Sequence, residues 1–235
     1  MANENNYVDL AISDGSTMAA YTALPKNTTG KSPAIILLQE AFGVNDHIKR
    51  VCNQYAEDGY VVISPELFHR TAPKGWEGPY NDFASVMQHY GAVSNETLEA
   101  DLKACFTWLT DREDVDAGSV FSIGYCLGGR VSFLANAVLP LKAAVSYYGG
   151  GVDQIADKAK DLHGRHLFFW GGLDQHIKDD SINTIIKAVE EAGKEYINVK
   201  ISYADHGFNC DARPAYNEAA SKEALALTLA FLKNS

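Results

Sequence analysis

From Ser119 onward, short apolar runs alternate with stretches of helical period, and few folds accommodate that pattern. The runs Ser119–Ile123, Ala143–Tyr148, His166–Trp170 and Val199–Tyr203 read as strands. Gly128–Ala137, Lys178–Ala192 and Pro214–Lys233 read as the helices between and after them, the last with a proline near its first turn. Strands that are apolar on both faces must be covered on both faces, and strand–helix alternation supplies that cover through right-handed crossovers. Upstream, Tyr7–Ser13 and Met18–Leu24 flank Asp14-Gly15 as a hairpin, and Lys26–Lys31 is loop. Ala34–Leu38 and Tyr60–Ser64 are buried strands, with a helix over Asp46–Glu57 that puts Ile48, Val51, Cys52 and Tyr55 on one face. Leu67–Thr97, with its scattered Pro, Gly and aromatic residues, reads as loops around one short helix near Asn81–Tyr90, and Leu98–Thr110 is a clear amphipathic helix. The expectation is one α/β domain over residues 1–235, a mostly parallel central sheet in three layers with no large lid.

Composition narrows the partners. The formal net charge is −10, so the basic footprint of a nucleic-acid binder is missing and anionic lipid surfaces are repelled. The four cysteines form no C-x-x-C pair, and their number in a chain of 235 residues reads as free thiols in a reducing compartment. The first residues hold neither a basic region nor an apolar run, and no stretch approaches a membrane span, so a cytoplasmic protein is expected. No H-E-x-x-H or similar ligand spacing appears; neither a metal nor a cofactor is expected.

Gly124-Tyr125-Cys126-Leu127-Gly128-Gly129 follows the Ser119–Ile123 strand directly and precedes a helix. This is the form of a nucleophile elbow with cysteine at the centre. The turn needs small flanking residues, and the helix N-terminus behind it favours negative charge on sulfur. A glycine-rich turn around an inert buried cysteine would share the pentapeptide, but not the strand–turn–helix setting. A nucleophile needs a base, and the base an orienter. His206 follows the last expected strand, and Asp174 follows the strand before it, so Cys126, Asp174 and His206 fall in the order nucleophile, acid, histidine. Asp174 could also be a turn or N-cap residue. Asp205 adjoins His206 in the chain and is badly placed to orient its ring, while His163 and His166 flank the start of a strand, at the wrong end.

With these motifs in view, the chain resembles the dienelactone hydrolase family, the carboxymethylenebutenolidases. The likeness is carried by Gln39-Glu40-Ala41-Phe42-Gly43-Val44-Asn45, by the cysteine elbow, by Asp174 and by His206-Gly207-Phe208. It implies an α/β-hydrolase fold, a Cys126–His206–Asp174 triad, and a role for Glu40 beside the resting thiol. It also implies an oxyanion hole from the amides of Leu127 and Ala41, with Tyr125 and Phe42 as substrate-lining candidates. Family members acting on anionic lactones hold the substrate carboxylate with two arginines. One lies four residues after the catalytic histidine, where this chain has Cys210; the other falls in a segment that is shorter here. Arg213 and Arg70 are the remaining candidates, each also readable as a solvated surface arginine.

The expected function is hydrolysis of small esters or lactones through a thioester acyl-enzyme, in a monomer or weak homodimer. A general carboxylesterase or thioesterase is the alternative. A non-catalytic thiol redox sensor or binder on the same fold is a third reading, disfavoured because a sensor needs no oriented base.

Overall fold

A computed structural model describes residues 6–26 and 29–235. Residues 1–5 of the N-terminal reading, and Asn27 and Thr28 of the expected Lys26–Lys31 loop, lie outside the described residues. The contacts divide the chain into two compact units, the first ending at Phe121 and the second beginning at Ser122.

In the first unit β1 (Tyr7–Ala11) and β2 (Thr17–Ala23) form the expected hairpin, with Asp14 Oδ1 accepting from the backbone N–H of Ser16 in the turn. β2 pairs antiparallel with β4 (Val61–Pro65), and β4 pairs parallel with β3 (Ser32–Leu38). The wholly apolar stretch Ala34–Leu38 within β3 is buried at every residue, and β4 is buried throughout, as strands covered on both faces must be. Helix α1 (Asp46–Glu57) starts where Asn45 accepts from the Ile48 N–H, and buries Ile48, Val51, Cys52 and Tyr55. The poorly legible segment folds around α2 (Phe83–Tyr90), and Trp76, Tyr80 and Tyr90 pack on a cluster of Ala41, Phe42 and Val86. Helix α3 (Asn95–Thr110) begins three residues before the expected Leu98, because Ser94 and Thr97 form a reciprocal capping box.

β5 (Val115–Tyr125) starts earlier than Ser119 and carries the chain into the second unit. There follow α4 (Leu127–Val138), β6 (Ala143–Tyr147), a 3-10 helix over Asp153–Asp161, β7 (Arg165–Gly171), α5 (Asp179–Glu191), β8 (Tyr196–Ile201) and α6 (Glu218–Lys233). β6, β7 and β8 are parallel neighbours, with Val145 opposite Leu167 and Phe168 opposite Asn198. Their core is largely aromatic: Tyr147, Phe168, Phe169 and Trp170 are almost fully buried. The 3-10 helix was not expected; only Ile155 and Ala159 of its residues are buried, too few to print a helical period on the sequence. The last helix is shorter than Pro214–Lys233. Its N-cap is Asn217, whose side chain accepts from the Ala220 N–H, and Pro214 stays in the preceding turns. Those turns are closed by Asn217 donating its N–H back to the Phe208 carbonyl, so the backbone bonds of residues 208–217 are spent on a compact loop. Among the described residues no helix is long and apolar enough to cross a membrane.

Candidate active site

The elbow forms where β5 meets α4. Cys126 has φ 54 and ψ −114, a left-handed conformation that costs a non-glycine residue about 1–3 kcal/mol. Tight backbone packing holds it there. A Cβ on Gly124 would lie 1.8 Å from the Gly128 carbonyl oxygen, and one on Gly129 would lie 2.7 Å from the Gly149 Cα. Neither position tolerates a side chain, which explains the glycines of the motif. The Cys126 N–H donates to the Tyr147 carbonyl at 3.0 Å, and the Gly129 N–H donates to the Cys126 carbonyl at 2.9 Å, tying the turn to β6 and to its own helix.

Asp174 lies three residues beyond β7, and His206 five residues beyond β8. Two glycines bring their loops together. A Cβ on Gly171 would meet the Ala204 carbonyl oxygen at 2.7 Å, and one on Gly172 would meet the Ser202 Cα at 2.5 Å. The Leu173 N–H then donates to the Ala204 carbonyl at 2.9 Å, stitching the loops backbone to backbone. The sequence reading passed over Gly171-Gly172; paired glycines between a buried strand and an acidic residue were the available signal.

The result is a linear array. His206 Nε2 is 3.2 Å from Cys126 Sγ, and His206 Nδ1 is 2.8 Å from Asp174 Oδ2. The other Asp174 oxygen accepts from the backbone N–H groups of His176 at 2.7 Å and Ile177 at 3.1 Å. Burial pushes the Asp174 carboxyl up, but His206 and these two amides outweigh it and hold it below the usual range. For His206 burial favours the neutral ring; the hydrogen bonds and charges of Asp174 and Cys126 win, and the imidazole is raised to about 10. The setting therefore favours a proton on the ring, between two anion-capable partners. Asp205, the rival carboxylate, caps the His206 backbone N–H at 2.7 Å and does not engage the ring.

Tyr148 and His176 also border this array, and sequence reasoning did not single them out. The Tyr148 ring, fully buried at φ 38, sits 5.2 Å from the His206 ring, and the exposed His176 ring sits 5.3 Å from it. Leu127 opens α4 with a first-turn amide of the kind that has no partner within its helix. Tyr125 is 2% exposed with its ring 4.7 Å from that of Tyr147, so it is a core residue at the elbow and not the substrate-lining group expected. In the first unit Glu40 and Ala41 are buried directly after β3, and Phe42 packs its ring 4.6 Å from that of Tyr80.

The two candidate arginines differ. Arg70 binds Asp101 with both terminal nitrogens, at 2.8 and 2.9 Å, and Asp14 through Nε at 2.8 Å. Asp101 is fully buried in α3 and also meets His69 Nε2 at 3.2 Å, so the guanidinium neutralises a buried carboxylate. Arg70 is thereby corrected from a substrate contact to a structural ion pair. Arg213 lies in the loop before α6 and not at the start of that helix. Its Nη1 sits 2.5 Å from where a Cβ on Gly207 would be, beside the His206 backbone. Cys210, at the position of the expected arginine, is buried. Among the described residues no group of three or more His, Cys, Asp or Glu is arranged to hold a metal ion.

The sequence pattern of the dienelactone hydrolase family matches residues 18–235, across both units. The chain belongs to the dienelactone hydrolase family. That makes it a hydrolase of small carboxylic ester or lactone substrates, on an α/β-hydrolase fold. A carboxymethylenebutenolidase from Pseudomonas sp. strain P51 is 30% identical over 222 residues, covering 93% of this chain and 91% of that one. A Salmonella typhimurium protein assigned as a carboxymethylenebutenolidase is 37% identical over 224 residues, 90% of this chain and 80% of the other. Among solved structures, a Klebsiella pneumoniae protein assigned as a dienelactone hydrolase superposes with a TM-score of 0.88 at 33% identity, covering 97% of this chain and 98% of that one.

Proposed function

We propose that this dienelactone hydrolase family member cleaves its ester or lactone through a Cys126–His206–Asp174 triad and a thioester acyl-enzyme. The observation that carries the reading is the array from Sγ through the imidazole to a carboxylate, built on a strained elbow. When substrate arrives the thiol proton passes to His206, and the imidazolium stabilises charge on sulfur. The thiolate adds to the substrate carbonyl, and the amides of Leu127 and Ala41 receive the oxyanion. Collapse breaks the bond to the leaving oxygen, which takes the proton from Nε2. Water then adds to the thioester, giving its proton to His206; collapse releases the carboxylic acid and returns sulfur to the thiolate. Asp174 fixes the tautomer with Nδ1–H and stabilises the imidazolium. Glu40 discourages charge on the resting sulfur until substrate arrives, a role supported by its place in the family motif.

The substrate class follows from the cations. With Cys210 buried where an arginine is expected, Arg213 is the one candidate left for a substrate carboxylate, and the pocket favours neutral esters over doubly anchored anions. Steady-state kinetics on a panel of short p-nitrophenyl esters and on a dienelactone carboxylate test both points. Cys126→Ala should be folded and inactive on every substrate. Wild-type hydrolysis by that variant contradicts the triad, and a strong preference for the anionic lactone contradicts the neutral pocket.

A further inference from the structure

Behind the elbow lies a buried polar cluster that the mechanism does not use. Asn136, Ser146 and His166 are each fully buried in the second unit. The hydrogen-bond directions among them are fixed by counting protons. Asn136 Oδ1 accepts from the Gly164 N–H at 2.9 Å and its Nδ2 donates to the Gly164 carbonyl at 2.9 Å, which sets the amide orientation. The same Nδ2 lies 3.2 Å from His166 Nδ1, so that ring nitrogen accepts. Ser146 Oγ has one proton and gives it to the Gly129 carbonyl at 2.6 Å. It must then accept from His166 Nε2, 2.9 Å away. His166 is consequently neutral with its proton on Nε2. Burial agrees, lowering the imidazole to about 3.

The chain continues through the backbone. The Gly129 carbonyl shares a peptide plane with the Arg130 N–H, which points at the Cys126 carbonyl at 3.4 Å. The Cys126 carbonyl shares the next plane with the Leu127 N–H. Hydrogen bonds in series polarise one another and fix one another's orientation. We infer that Asn136, His166 and Ser146 form a directed hydrogen-bond relay that orients the oxyanion-binding amide of Leu127. His166 and Ser146 are thus positioning residues for ester cleavage, acting from behind the elbow. The inference rests on the reading of Cys126 as nucleophile and Leu127 as oxyanion donor.

The test compares two reactions of the same sulfur. Ester hydrolysis needs the oxyanion amide; alkylation of Cys126 by iodoacetamide does not. Ser146→Ala breaks the last side-chain link, and His166→Phe breaks the one before it, with a ring suited to a site between Phe133 and Phe168. A weakened donor costs less than the roughly 10²–10³-fold loss on deleting an oxyanion donor outright, so kcat should fall about threefold to tenfold in either variant. KM and the iodoacetamide rate should stay at wild-type values, and Ser146→Thr, which keeps the hydroxyl, should restore kcat. A lowered melting temperature with kcat unchanged would make the cluster merely structural and overturn the relay. Equal loss of hydrolysis and alkylation would also overturn it, by showing that the thiol itself is disturbed. Hydrolysis abolished in Cys126→Ala but undiminished in both relay variants overturns the relay alone; hydrolysis persisting in Cys126→Ala overturns it together with the nucleophile.

Discussion

His166 at the start of β7 and His206 beyond the end of β8 occupy opposite ends of the second unit's strands, and their chemistry diverges accordingly. His166 is fully buried and His206 largely so, yet burial drives one imidazole down to about 3 while the other rises to about 10. The difference is in the partners. His166 meets a serine hydroxyl and an asparagine amide, dipoles that can match a neutral ring. His206 meets a carboxylate and a thiol, groups that repay a charge. Burial alone therefore does not make a buried histidine inert or active; the ionisable neighbours decide. The amino ends of these strands hold neutral polar structure, and the carboxyl ends hold the ionised site.

Asp174→Asn is the most drastic way to break the contrast. It removes the anion that supports His206 and presents the wrong tautomer to sulfur, with kcat expected to fall by up to about 10⁴-fold. A pH titration of the His206 ring by NMR should show its pKa dropping from about 10 toward its ordinary value. A ring still protonated well above neutrality in that variant would show that Asp174 is not the main support.

Stability against pH sharpens the comparison with opposite signs. His206 has a folded pKa above its unfolded value of 6.5, so its contribution is complete below about pH 6.5 and is lost as pH rises through about 10. His166 has a folded pKa below 6.5, so its contribution is present above that value and is lost as pH falls toward about 3. Urea midpoints across this range should show the acid-side decline flattened in His166→Phe and the alkaline-side decline flattened in Asp174→Asn. The reverse assignment of the two limbs would contradict the environments described.

Thiol reactivity separates the same kinds of setting. Cys52, Cys105 and Cys210 are all fully buried, and burial pushes the Cys52 thiol up to about 12 and raises the Cys105 thiol as well. Cys126 is partly accessible, with the His206 ring 3.2 Å from its sulfur. Iodoacetamide inactivation should track modification of Cys126 alone in peptide mapping, faster with a substrate analogue present if Glu40 restrains the resting sulfur.

The smallest expected effect lies at the edge of the ionised site. Losing one charge-assisted contact costs about 1.5–3 kcal/mol, so Arg213→Ala should raise KM for an anionic lactone roughly tenfold to a hundredfold and leave neutral esters unaffected. Equal response of both substrate classes would make Arg213 a scaffold residue packed on Gly207.

Much of this site was legible in the chain because its parts sit at strand ends. The elbow needs glycines on both sides of Cys126, and Asp174 and His206 each follow an apolar run, so local pattern located all three. The long-range polar cluster was not legible. Asn136, Ser146 and His166 lie on three different elements, and nothing local to any of them signals the others; His166 was set aside because it lies at the strand's amino end. Arg70 failed as an expectation for a related reason, since its partner Asp101 lies on a helix whose other inward residues are apolar. The polar 3-10 helix and the late start of α6 were missed because caps and turns, not apolar period, define them.

The central claim is that Cys126 carries the acyl group between two half-reactions. Intact-mass measurement of enzyme quenched during turnover of a short p-nitrophenyl ester, followed by peptide mapping, tests it most directly. The account predicts an acyl adduct on the peptide containing Cys126, absent from a folded and inactive Cys126→Ala variant. An adduct on another residue, or undiminished hydrolysis by Cys126→Ala, would contradict it.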